Sequence, residues 1–140
     1  MTKALAVKAP PRFQPLKINA ETMNETFSRI YSKHGVRTLG RVRKAFALTR
    51  TEVARLFNVT PEAVVKWERN GVPVRRLAEL DRCFQLAGMM QRRLRPDRLP
   101  TLVRTPAADF NNRTVLDVIA ESGTQPVFDY MRRVASGVPR

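Results

Sequence analysis

The chain has 140 residues, 43% apolar and 7% aromatic, enough for one modest core or two very small ones and too apolar for a wholly disordered chain. Lys and Arg number 26 against 12 Asp and Glu, a net charge of +14, which points to a polyanion as partner. A single cysteine, Cys83, and a single histidine, His34, exclude an intramolecular disulfide and leave no ligand set for a Cys/His zinc centre.

Residues 1–19 hold Lys3, Lys8, Arg12 and Lys17 and no acid. Pro10, Pro11 and Pro15 disfavour a helix there. The segment reads as a flexible basic arm, which either enters a minor groove or remains a solvated tail. From Ala20 the pattern turns helical, with Met23, Phe27 and Ile30 at i, i+4, i+7, and Lys33-His34-Gly35 predicts the end of that helix. A second helix places Leu39, Val42 and Phe46 on one face and Arg41, Arg43 and Lys44 on the other. Thr49-Arg50-Thr51-Glu52 reads as a capping box opening a third helix, whose apolar face is Val53, Leu56 and Phe57. Asn58-Val59 makes a short turn. Thr60 is then an N-cap with Pro61 at the first helical position, and the fourth helix runs to about Asn70, stopped by Gly71 and Pro73.

A fifth helix aligns Leu77, Leu80, Phe84 and Ala87, with Cys83 near its apolar side as a buried thiol. The run MMQRRLRPDRLP marks a linker or boundary near Pro96. Beyond it, Thr114-Val115-Leu116-Asp117 opens another helix that ends at Gly123. A last helix begins at Thr124 or Gln125, with Pro126 in its first turn, Val127, Tyr130, Met131 and Val134 as its inner stripe, and Gly137 as C-cap. No segment has strand periodicity and there is no internal repeat. The expected fold is all-α: a basic arm over 1–19, a helix-turn-helix bundle over 20–95 and a small helical C-terminal module over 96–140. Charge divides the same way, since residues 100–140 carry five basic and four acidic side chains while all earlier segments are net basic.

Two short helices joined by a tight turn, Thr51–Phe57 and Pro61–Arg69, match the arrangement in which a second helix enters the DNA major groove. Val64 and Trp67 face inward against Val53 and Phe57. Glu62, Val65, Lys66 and Arg69 then form an outward stripe. Lys66 and Arg69 can donate to guanine O6 and N7, Glu62 can accept from cytosine N4, and Val65 can meet a thymine methyl. Trp67 reads as core rather than a stacking platform, and Glu68 as a brace for the helix. There is no Gly-rich phosphate loop or metal cluster, and His34 and Cys83 lack catalytic partners, so neither enzymatic activity nor a cofactor is expected. No run approaches the roughly 18 apolar residues of a membrane span, and the start of the chain lacks the apolar block of a signal peptide. The expected setting is cytoplasmic.

The run LTRTEVARLFNVTPEAVVKWERNGVP, residues 48–73, resembles the Cro/Xre helix-turn-helix family, including its YdaS-like Cro members. That resemblance implies phosphate contacts from Arg50 and Thr51 and groove contacts from Thr60, Glu62, Val65, Lys66 and Arg69. Further phosphate candidates are Arg41, Arg43, Lys44, Arg75 and Arg76. The tail DFNNRTVLDVIAESGTQPVFDYMRRV, residues 109–134, looks like the C-terminal domain of Xre/MbcA/ParS-type antitoxins. The resemblance implies a homodimer that represses its own operon and covers a toxin acting on NAD; the aromatic position before the loop is filled here by Leu102 or Val103. Two readings follow. The first is a sequence-specific repressor of double-stranded DNA, bacterial or of temperate-phage type. The alternative is an antitoxin that autoregulates its operon and neutralises a toxin through its C-terminal module.

Overall fold

The computed structural model of the chain describes residues 20–136, and the expected arm with Lys3, Lys8, Arg12 and Lys17, like the cap at Gly137, lies outside them. The described residues form seven α-helices joined by turns and short 3-10 segments: α1 (Ala20–Phe46), α2 (Arg50–Phe57), α3 (Pro61–Asn70), α4 (Leu77–Arg93), α5 (Leu99–Leu102), α6 (Val115–Ser122) and α7 (Gln125–Ser136). Among them the nearest approach to a sheet is one isolated bridge between Ala107 and Arg113. The fold is all-α.

The first two expected helices are one. α1 runs unbroken for 27 residues through Gly35. The glycine does not stop the helix but lets it approach its neighbours: a Cβ there would sit 2.7 Å from Leu77 Cδ2 and 2.9 Å from Val72 Cβ. Tertiary packing thus outweighs the local stop signal. The remaining starts follow their caps. Thr49 and Thr114 each accept a hydrogen bond from the backbone N–H three residues on, while Glu52 and Asp117 bond back to the cap N–H, closing two capping boxes. Thr60 accepts from Ala63 N with Pro61 behind it.

One continuous core unites the two halves of the chain. Phe46, Val53 and Val64 pack in the same buried cluster as Leu80, Leu86 and Met90 of α4 and Val118, Val127 and Met131 of α6 and α7. The segment at Pro96 folds as a 3-10 turn leading into α5, whose Leu99, together with Val103 just after it, is fully buried. α2 packs on α3 on one side and on α6 on the other. In α4 the inward residues are Leu80, Cys83, Leu86, Ala87 and Met90, with Phe84 turned out. In α7, Phe128 takes the inward place expected of Val134, which is half exposed. The guanidinium of Arg82 lies 4.2 Å from the Phe128 ring centre, a cation-π contact with α4, while Val134 falls in the last turn of α7.

Candidate nucleic-acid interface

The turn between α2 and α3 is tight because Asn58 adopts the left-handed conformation, with φ 55°, and closes α2 by donating to Ala54 and Arg55 carbonyls. Asn tolerates that region better than other residues with a Cβ. Val53 and Val64 are wholly buried, and Phe57 meets Trp67 edge to face with ring centres 5.7 Å apart. Such a pair contributes roughly 0.5–1.5 kcal/mol beyond its burial. The inward side of α3 is therefore fixed. Glu62, Lys66 and Arg69 are exposed on the outward side and Val65 is half-buried beside them. Thr60 is exposed, but its hydroxyl oxygen caps α3.

Glu68 sits on the flank of α3, where it accepts from Arg43 of α1 and, at 2.8 Å, from Arg50 Nε of α2. Burial alone would raise its carboxyl pKa, but the hydrogen bond from Arg50 and the charges of Arg43 and Arg50 outweigh that and hold it below the ordinary carboxylate range. Three helices are clamped through one carboxylate.

The expected phosphate contacts fall into two groups. Arg41, Lys44, Thr51 and Arg75 are exposed. Arg43 is turned inward, because its Nε also donates to the Leu48 carbonyl at 3.2 Å. Arg76 is likewise drawn into the fold, donating to Phe57 O at 3.2 Å and Glu79 at 3.3 Å. Both act as braces rather than free cations. Arg50 keeps more than half of its side chain exposed while pairing with Glu68.

Two further arginines are structural and were not singled out by the sequence. Arg104 binds Glu52 across the halves, and Arg55 binds Asp117 and Glu121. Their acidic partners lie 52 to 66 positions away in the chain, so no local pattern announces them. Asp117 is held below the ordinary carboxylate range by its hydrogen bond from the Thr114 backbone and by Arg55. Among the described residues no cluster of three or more His, Cys, Asp or Glu could hold a metal ion, and no helix is long and apolar enough to cross a membrane.

Between the end of α4 and the C-terminal module, Met90, Leu94, Leu102, Phe110, Tyr130 and Met131 line an apolar groove of about 270 Å³. Of the two residues at the aromatic position, Val103 is buried and Leu102 is exposed on this groove.

No family model and no curated protein matches the chain. A chain from the crystal structure of the M. tuberculosis MbcT-MbcA toxin-antitoxin complex aligns with a TM-score of 0.61 over 75% of this chain and 96% of that one, at 20% identity. The two share a fold. The shared part spans nearly the whole of that chain, so it takes in more than a helix-turn-helix alone.

Proposed function

We propose that this protein is an antitoxin of the Xre/MbcA/ParS type, holding a toxin through its C-terminal module and occupying operator DNA through α2 and α3. What carries the reading is the likeness across both halves to a chain of a toxin-antitoxin complex, together with the tail motif at residues 109–134. The apolar groove with exposed Leu102 supports it as a surface able to receive an apolar partner. No catalytic residue and no cofactor belong to this reading, and the toxin would be the component that acts on NAD. The test is co-expression with the product of the neighbouring gene. The neighbour alone should arrest growth and deplete cellular NAD, and the full chain should restore both and co-purify with it. No toxicity and no complex would overturn the reading.

A second reading, a dedicated repressor, rests on the same Lys66 and Arg69, which are exposed, engage no acceptor among the described residues and serve DNA binding in either case. Titration of upstream DNA with the full chain separates the two. Tight, sequence-specific binding with no protein partner would favour the repressor.

A further inference from the structure

Met23, Phe27 and Ile30 recur at steps of four and three along α1, and Arg37, Arg41 and Lys44 resume the same spacing seven residues further on. At 3.6 residues per turn these six side chains share one face over roughly 30 Å. All six are exposed, the apolar three by 44%, 46% and 55%. Tyr31 stacks on Phe27 with ring centres 6.2 Å apart and widens the apolar half. The later part of α1 turns a different side, with Leu39, Val42 and Phe46, into the core, so the face stays open at both ends. The one acid between Met23 and Lys44 is Glu25. It stands two positions from Met23 and from Phe27 and so on the far side of the helix. Arg37, Arg41 and Lys44 engage no acceptor among the described residues. Asp97, the acid lining the recess beside Arg41 and Lys44, is paired with Arg95.

We propose that this face is a peripheral membrane-binding surface for anionic phospholipid. Met23, Phe27, Ile30 and Tyr31 enter the boundary between head groups and acyl chains, while Arg37, Arg41 and Lys44 lie on the head-group phosphates. The joining of an apolar half to a cationic half selects the occupant. Nucleic acid would meet the cations and leave the apolar half in water. A second copy would bring the same cations and, with Glu25 turned away, no acid to meet them. An anionic bilayer answers both halves at once, and Glu25 then faces water. Such binding needs no membrane-spanning helix. With one short apolar half and three cations it is reversible and weakened by salt. This inference rests on neither functional reading above.

Flotation of the full chain with vesicles tests it, using phosphatidylcholine alone and an equal mixture of phosphatidylcholine and phosphatidylglycerol. The wild type should float with the mixed vesicles only. A chain of net charge +14 is drawn to any anionic surface, so the deciding variant keeps the charge: Phe27→Ser combined with Ile30→Ser should bind about tenfold more weakly or worse. Its thermal melting curve should be unchanged, because both residues lie outside the core. Arg37→Gln combined with Arg41→Gln should weaken binding by about twentyfold. No flotation of the wild type, or a Phe27/Ile30 variant that floats as well as the wild type, would overturn the proposal. A dimer in vesicle-free solution that the Phe27/Ile30 variant abolishes, with flotation unaffected, would overturn it in favour of a second copy. Duplex DNA binding that needs Arg37 and Arg41, with flotation indifferent to them, would overturn it in favour of nucleic acid.

Discussion

Arg104 and Glu52 form a two-pronged ion pair, Nε to Oε2 at 2.9 Å and Nη2 to Oε1 at 2.7 Å. Glu52 is also the acid of the capping box that starts α2. The other donors of Arg104 reach Phe46 O and Ala47 O, both at 2.8 Å, and Pro100 O at 2.6 Å. One guanidinium thus joins the end of α1, the start of α2 and α5. Fork geometry of this kind is beyond lysine.

Arg104→Ala should lower the stability of the whole chain by roughly 2 kcal/mol or more, because three backbone carbonyls and a carboxylate lose their donor together. Urea denaturation followed by Trp67 fluorescence reads this. Arg104→Lys should recover only part of the loss.

The same pair makes a pH prediction. The Arg104 hydrogen bond holds the Glu52 carboxyl below its ordinary value of 4.5, against the opposing effect of burial. A carboxylate depressed in the folded state stabilises the fold above its unfolded pKa, and that contribution is lost as pH falls through the folded one. The wild type should therefore lose stability progressively as pH drops below about 4.5. Arg104→Ala should lose less over the same window, since only the Thr49 hydrogen bonds then hold the Glu52 carboxyl down. Urea midpoints across an acid series give the comparison, and parallel profiles for the two proteins would contradict it.

Two glycines of α1 should respond with opposite signs to the same change. Gly40→Ala meets nothing within 4 Å, so helix propensity should stabilise the fold by about 0.5–1 kcal/mol. Gly35→Ala drives a methyl into Leu77 and Val72 and should destabilise by about 1–3 kcal/mol. Melting temperatures of the two variants settle the signs.

Cys83 is 3% exposed, and burial, with a smaller effect from nearby Glu79, pushes its thiol up to about 12. Thiolate is the reactive form. Ellman's reagent should leave the native protein unlabelled at neutral pH and react once urea unfolds it. Fast labelling of native protein would mean that α4 opens locally.

On α3, for which we propose DNA contact, exposed and clamped residues should separate cleanly. Lys66→Ala and Arg69→Ala should each weaken binding to a preferred sequence by about 1–3 kcal/mol while leaving the melting temperature unchanged. Glu68→Gln should instead lower stability by roughly 1–3 kcal/mol, because Arg43 and Arg50 lose the charge that clamps them. Equal losses on all DNA sequences for the first pair would restrict Lys66 and Arg69 to phosphate contact.

The three capped helix starts were legible because each is written in adjacent residues: Thr49 with Glu52, Thr60 with Pro61, Thr114 with Asp117. The inward pairing of Val64 and Trp67 followed from helical phase, as did Glu68 as a brace. What misled was decided at a distance. Gly35 reads as a stop until Val72 and Leu77 are seen beside it, and Val134 reads as core although it falls in the last turn of α7, where it is half exposed. Arg43 and Arg76 look like free cations on helix faces, and only their contacts with Glu68, Leu48 and Phe57 show otherwise. Arg55 and Arg104 gave no signal, since their acidic partners belong to the other half of the chain.

Because α2 is packed on both sides, by α3 and by α6, neither flank can loosen without uncovering the other. Backbone amides on the two sides of α2 should then exchange with solvent through the same global opening, at one common free energy. Any ligand that grips the C-terminal module raises that opening energy for α3 as well. The slowest amides of α3 thereby become reporters of occupancy at a surface they do not touch.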